Sequence, residues 1–204
     1  KYAEIISTKE AKSIEPEISD NMYGYIYYPL RGQADPIKAT TAFALEAQNL
    51  GTHIKVNEAV NKVYSESDGT FVIKTNKNQY TCNKLVIATG AWTNSLLKSL
   101  DLDIPIIPVR GQMWSSKSLP PNIFTAISAM QSQYDWNTDS TTDKNNPPEL
   151  THKDGKRITR HLYGRQRKNG EIIFGGDREN IGFTEKVDFS GVESNKNHVT
   201  ELFP

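Results

Sequence analysis

The sequence predicts an α/β chain, α+β overall, and three observations carry that prediction. Helix-patterned and strand-patterned stretches alternate as far as about Leu100. The run Leu85-Val86-Ile87-Ala88 is continuously apolar, as in a strand covered on both faces. From Val109 onward come a further strand and a hairpin about Asn169-Gly170.

Taken in order, Ser7-Thr8-Lys9-Glu10 is a capping box and predicts a short helix from about Thr8 to Ser13, with Pro16 beyond its end. Tyr23 to Pro29 is aromatic and predicts a strand. Asp35-Pro36 caps the next helix, whose Thr40, Phe43, Ala47 and Leu50 form one apolar stripe, and Gly51 is a good terminator. Short β-like segments follow at His53–Val56, Ala59–Tyr64, Thr70–Thr75 and Tyr80–Ala88. A helix is expected from near Ala91 through Leu100, then a strand at Val109–Ser115. The polar stretch 135–156 is long for an uninterrupted loop and predicts a surface insertion, with a lid or an interaction loop as the alternatives. Strands at Arg160–Gln166 and Glu171–Gly175 flank an Asn-Gly turn of the two-residue kind, and Asn195–Phe203 forms a last helix.

Composition excludes several function classes. Lys+Arg and Asp+Glu are both 24, so no net charge marks a nucleic-acid or anionic-membrane partner. Apolar runs fall short of the ~20 residues of a membrane-spanning helix, and no signal-peptide pattern opens the chain. A single cysteine, Cys82, excludes an internal disulfide and a cysteine-built zinc site, and reads as a buried inert thiol. No metal site is expected. His53, His152 and His198 read as surface residues. These features fit a soluble intracellular protein of the cytoplasm or mitochondrial matrix. A mean hydropathy of −0.59 is polar for a self-contained enzyme. The first residue is Lys1, and Leu202-Phe203 is still apolar at the last. The expectation is a segment of a longer protein.

The stretch Lys84–Trp92, KLVIATGAW, is where chemistry is first expected. Ala88-Thr89-Gly90 ends the apolar strand with little side-chain bulk, at the edge where open α/β sheets bind ligands. A helix after Gly90 would offer N–H groups to a phosphate. The stretch alone supports close strand–helix packing and cofactor contact equally.

Its neighbours extend the pattern. Ala34-Asp35-Pro36, then GTHIKVNEAVNKV (51–63), LVIATGAW (85–92), PIIPVRGQM (105–113) and NGEIIFGG (169–176) occur in this order. Together they resemble the D-amino acid oxidase/glycine oxidase/sarcosine oxidase (DAO) family of FAD-dependent oxidoreductases, from Lys1 to about Asn180. The resemblance implies part of an FAD/NAD(P)-binding Rossmann-like domain over 1–104, with substrate-domain elements interleaved near its start. It implies a mostly antiparallel substrate or cap domain over 105–204. Val60 matches the valine whose backbone lies against the FAD adenine. Thr89, Gly90 and Trp92 match the turn beside the ADP half and ribityl chain, although Trp92 also fits a core aromatic. Tyr163 matches a substrate-facing tyrosine, and Arg178 lies where some members line the cavity beside the flavin. His161 and Arg165 alternate with Tyr163 on one strand face. Arg110 suits a phosphate, a carboxylate or a structural salt bridge.

The departures matter as much. No G-x-G-x-x-G opens a helix in this chain, and Gly175-Gly176 ends a hairpin instead. The family arginine that clamps the substrate carboxylate lies beyond Pro204 in the family pattern. The expectation is therefore a parent flavoenzyme oxidising the C–N bond of a small amine or amino acid by hydride transfer to FAD. This chain alone is not expected to bind FAD tightly or turn over. The rival expectation is a non-catalytic relative serving as an assembly or accessory subunit, with Arg165, Arg178 and loop 135–156 at an interface.

Overall fold

The computed structural model describes residues 2–130, 149–159 and 161–204. It divides into two compact units, Lys1–Gln33 with Val109–Pro204, and Ala34–Pro108. In the first, β1 (Glu4–Ile6) pairs antiparallel with β2 (Tyr25–Tyr27), a narrower strand than the aromatic run predicts. Between them lies α1 (Thr8–Ile14). The capping box is present: Ser7 Oγ accepts from Glu10 N at 3.3 Å while the Glu10 carboxylate accepts from Ser7 N at 2.8 Å. Caps of this kind contribute about 1 kcal/mol. At the helix end Glu15 is buried, and its carboxylate accepts the backbone N–H of Phe124 at 3.0 Å and that of Thr125. A carboxylate from the chain's start thus anchors a loop of its second half.

The Ala34–Pro108 unit opens with α2 (Pro36–Asn49), capped by Asp35, which accepts from Ile37 N at 3.0 Å and Lys38 N at 3.1 Å. The predicted stripe is present as sequence but has no cover: α2 has no buried residue, and Phe43 and Leu50 are 79% and 80% exposed. β3 (Val60–Ser65), β4 (Phe71–Thr75) and β5 (Gln79–Cys82) make an antiparallel meander around Val63 and Val72. Cys82, expected buried, is half-buried.

One predicted strand is absent from this unit and another is shortened. His53–Val56 pairs with no described strand; of Tyr80–Ala88 only residues 80–82 are strand, in β5, while Leu85–Ala88 pairs with none and Val86 is 87% exposed. Apolar pattern reports a preference for burial, whereas a strand also needs a neighbouring backbone to supply its ladder. The helix expected near Ala91–Leu100 is likewise broken. α3 (Thr93–Leu97) is flanked by 3₁₀ turns at Gly90–Trp92 and Lys98–Leu100. A polar side chain competes for its backbone: Ser99 Oγ donates to Leu96 O at 2.8 Å.

The second part of the first unit is a four-stranded antiparallel sheet of order β6-β11-β10-β7, built from β6 (Arg110–Ser118), β7 (Ile127–Ser128), β10 (Tyr163–Gln166) and β11 (Glu171–Glu179). β8 (His152–Lys153) and β9 (Lys156–Arg157) form a small hairpin at the end of the predicted polar loop; residues 135–148 of that loop lie outside the described residues, as does Arg160 of the predicted strand. The β10–β11 turn is not a two-residue one. Arg167 N donates to Glu171 O at 2.8 Å and Gly170 N to Arg167 O at 2.9 Å, leaving a three-residue loop with Gly170 at φ +86°.

One face of this sheet carries the core. Ile123, Leu162 and Phe174 pack against Val199 and Leu202 of α4 (Phe189–Leu202). Trp114 stacks on Phe174 at 6.0 Å and donates Nε1–H to Asn195 Oδ1 at 2.6 Å. α4 starts well before the predicted Asn195, because Asp188 caps it by accepting from Ser190 N at 3.0 Å. Gly191 is the close-contact point: a Cβ there would lie 1.9 Å from Asp177 Oδ2. His198 is half-buried on α4 and burial lowers its pKa, so it is no surface histidine. Gly191→Ala is expected to destabilise this unit by about 2 kcal/mol through overpacking. Urea unfolding followed by tryptophan fluorescence measures it, and an unshifted midpoint would show that α4 is not seated on Asp177.

Candidate functional site

The sheet of the first unit has one face on α4 and one facing away. On β6, Gln112 and Trp114 point to the helix side, so Gly111, Met113 and Ser115 point to the other. On β11, Phe174 is in the core and Gly175, opposite Met113, is on the open side. The register then shifts between Gly175 and Asp177. Gly176 is the extra residue, at φ +138°, where an added Cβ would sit 1.6 Å from His161 O. Beyond this bulge Asp177 faces inward opposite Gln112, and Arg178 faces outward opposite Gly111. A Cβ on Gly111 would lie 2.7 Å from Arg178 Nη1, so that glycine makes room for the guanidinium.

The open face therefore collects Tyr163, Arg165 and Arg178, and Ser128 joins them because it pairs with Tyr163. Among the described residues the Tyr163 hydroxyl has only Met113 Sδ as partner, at 3.7 Å. His161 lies edge-on to Tyr163, with ring centroids 5.1 Å apart. Partial burial, then the nearby Arg178 and Arg31 guanidiniums, lowers the pKa of His161 below the usual imidazole value. Arg178 Nη1 donates to Asp177 O at 3.0 Å. Arg31 Nη1 donates to Ser128 Oγ at 3.1 Å, and Arg165 Nη1 donates to Gln33 Oε1. Among the described residues Arg31, Arg165 and Arg178 make no ion pair. The face is cationic, with an aromatic hydroxyl in its midst.

The acidic residues lie on the other side. Arg157 Nη2 reaches Asp177 Oδ2 at 2.8 Å, Asp188 Oδ2 at 3.0 Å and Glu179 Oε1 at 3.3 Å. Arg110 donates Nε–H to Glu179 Oε2 at 2.7 Å, so it is a structural ion pair. Burial opposes the charge on Arg157, but Asp177, Asp188 and Glu179 outweigh it and raise its pKa. The Asp188 carboxyl is held down to about 2, first by the Ser190 hydroxyl and also by the Ser190 N–H and Arg157.

The residues matched to the cofactor lie in the other unit. Val60 begins β3 and is 41% exposed. Thr89 is half-buried, its hydroxyl 3.1 Å from that of Thr93. Gly90 has φ +54° with nothing within 4 Å of an added Cβ, and Trp92 is 63% exposed, so it is not a core aromatic among the described residues. Exposed apolar surface at Val60 and Trp92, with open space at Gly90, fits a flat ring system lying against the backbone. α3 is too short to direct a helix dipole at phosphate, which removes that part of the sequence expectation. Among the described residues no three His, Cys, Asp or Glu side chains converge as metal ligands. Sequence reasoning missed Arg31, Gln33 and Met113 as members of the open face. Period-two alternation on Arg110–Ser115 was a signal for Met113; nothing local marked Arg31 or Gln33.

Comparison with known proteins gives a consistent picture. The family model described as FAD dependent oxidoreductase (DAO) matches residues 1–204. Glycine oxidase of Bacillus subtilis (strain 168) is 24% identical over 198 residues, covering 97% of this chain and 45% of that protein. Mitochondrial dimethylglycine dehydrogenase of Rattus norvegicus is 29% identical over 117 residues, 57% of this chain and 14% of the relative. The crystal structure of glycine oxidase from Geobacillus kaustophilus superposes with a TM-score of 0.75 at 20% identity, over 99% of this chain and 46% of that one. The chain thus spans less than half the length of these relatives.

Two electrostatic outcomes follow from this geometry. The folded Asp188 pKa of about 2 lies below its free value of 3.8, so the folded state binds fewer protons. Its stabilisation is in place above the free value and is lost as pH falls towards the folded one. Asp188→Asn, which keeps a cap but does not titrate, is expected to flatten the acid loss of helicity seen by circular dichroism. Arg178→Met is expected to raise the His161 pKa, because a cation that disfavours the imidazolium is removed. A proton NMR titration of the imidazole reads this directly, and an unmoved His161 would mean that Arg178 does not face it.

Proposed function

Since the chain belongs to the DAO family of FAD-dependent oxidoreductases, we propose that its parent protein oxidises the C–N bond of a small amine or amino acid. The observation that carries this reading is the open sheet face, where Tyr163 stands among Arg31, Arg165 and Arg178 with no carboxylate paired to them among the described residues. Guanidiniums bind a substrate carboxylate through charge-assisted, forked hydrogen bonds. Their positive field also disfavours an ammonium group beside them, which keeps the substrate amine neutral with its lone pair available. Tyr163 is placed to donate its hydroxyl proton to a substrate oxygen, and Arg178 to orient the carboxylate. His161, its pKa lowered, adds no further cation at neutral pH.

Val60, Thr89, Gly90 and Trp92 would hold part of FAD, which supplies the two-electron acceptor for the hydride leaving the substrate carbon. On this reading Ala34–Pro108 is the cofactor unit and Val109–Pro204 with Lys1–Gln33 the substrate unit. A phosphate cradle of the G-x-G-x-x-G kind is not among the 204 residues. We therefore place it elsewhere in a longer enzyme, and expect this chain alone to hold FAD poorly. A cytoplasmic or mitochondrial-matrix setting suits this reading, the rat relative being named mitochondrial.

The test uses the full-length protein. It is expected to purify with FAD and to be bleached anaerobically by at least one amine or amino acid from a panel. Tyr163→Phe is expected to lower kcat/KM about tenfold, the worth of one hydrogen bond near 1.4 kcal/mol. Bound FAD that no amine reduces would end the amine reading.

A further inference from the structure

The open face holds more positive charge than a single carboxylate requires. Arg178 lies at the β6–β11 side, beside Gly111. Arg165 lies at the other side, on β10, and Arg31 reaches β7 from segment 31–33, which is fastened there by two side-chain hydrogen bonds, Arg31 to Ser128 and Arg165 to Gln33. Each of these two guanidiniums has one described hydrogen-bond partner, a neutral one, and a guanidinium carries five N–H donors. Ser128 and Tyr163 are cross-strand partners, and Arg165 is two residues along the same face of β10. The two cations therefore share the face of Tyr163, Arg31 bonded to its cross-strand partner Ser128 and Arg165 two residues along its own strand. Leaving like charges side by side is unfavourable unless an anion joins them.

We propose that Arg31 and Arg165 form a second anion subsite, so that the substrate is an amine or amino acid carrying an additional carboxylate beyond the one next to the reacting carbon. This deepens the amine-oxidising reading and rests on it. Arg178 and Tyr163 take the group beside the reacting carbon. Arg31 and Arg165 take the distal carboxylate, each through a forked contact with its unused N–H groups. Gln33 and Ser128 hold the two guanidiniums apart and aimed. Specificity then comes from the neutral competitor's failure to compensate two adjacent cations rather than from pocket size.

The experiment titrates full-length protein with succinate and with butyrate, inert acids of equal carbon number, by calorimetry at low and high salt. Succinate is expected to bind about tenfold more tightly than butyrate at low salt, with the preference shrinking as ionic strength rises. Arg31→Met and Arg165→Met are each expected to reduce the preference to within about threefold, and Arg165→Lys to retain part of it. A dicarboxylic amine is expected to lose apparent affinity in these variants, seen as raised KM with kcat little changed. Equal binding of the two acids by the unmodified protein overturns the proposal without reference to any variant. So does a preference that survives both methionine substitutions. Amines that bleach the flavin while succinate gains nothing would sink the subsite and leave the amine reading standing. A succinate preference lost in the variants, in a protein whose flavin no amine bleaches, would support the subsite and sink the amine reading.

Discussion

One extra residue in β11 decides which way every side chain after it faces. Gly176 occupies the bulge in a conformation that admits only glycine, with His161 O where any Cβ would go. In an unbroken ladder Asp177 would point to the open face and Arg178 into the core. The bulge exchanges them. Asp177 enters the ionic cluster with Arg157 and Gln112, and Arg178 emerges beside Gly111. The seat of α4 and the charge of the opposite face depend on the same insertion.

That exchange sorts charge across the sheet. Asp177, Glu179 and Asp188 lie on the helix side, where Arg110 and Arg157 neutralise them. Buried ion pairs of this kind add little net stability, because desolvation offsets their attraction, but removing one partner strands the other. The unpartnered Asp177 Oδ1 and Arg157 Nε among the described buried atoms show that the cluster is not fully satisfied. Its contribution is placement: three carboxylates are kept away from Arg31, Arg165 and Arg178. A chain of zero net charge thereby presents a locally cationic surface.

Much of this was legible beforehand. The capping box at Ser7, the Asp35 cap of α2, the meander of β3–β5 and the β10–β11 hairpin are local decisions, and local residues announced them. The alternation of Tyr163 and Arg165 also put both on one strand face. What escaped was non-local. Leu85–Ala88 has the composition of a covered strand, but pairing depends on a neighbour, and none of the described strands runs beside it. The last helix was expected only from Asn195, because the seat of its first turn, Gly191 against Asp177, is a contact with another element. Arg31 and Gln33 carry no sequence mark, since their place on the open face is set by hydrogen bonds to Ser128 and Arg165. Balanced composition concealed the cationic face for a similar reason: a total says nothing about which side of a sheet each charge occupies.

The buried carboxylate of Glu15 has a consequence for the order in which the chain can assemble. Its partners, the amides of Phe124 and Thr125, are separated from it by the whole Ala34–Pro108 unit. That unit's sheet pairs only strands adjacent in sequence, so it can close as soon as it is made. The first 33 residues can pair β1 with β2 but cannot complete their unit. During synthesis at ~5–20 residues per second, they must wait on the order of ten seconds with Glu15 solvated before the strands that complete their unit leave the ribosome. Within these 204 residues, Ala34–Pro108 is thus finished first, and the segment before it is held open for the segment after it.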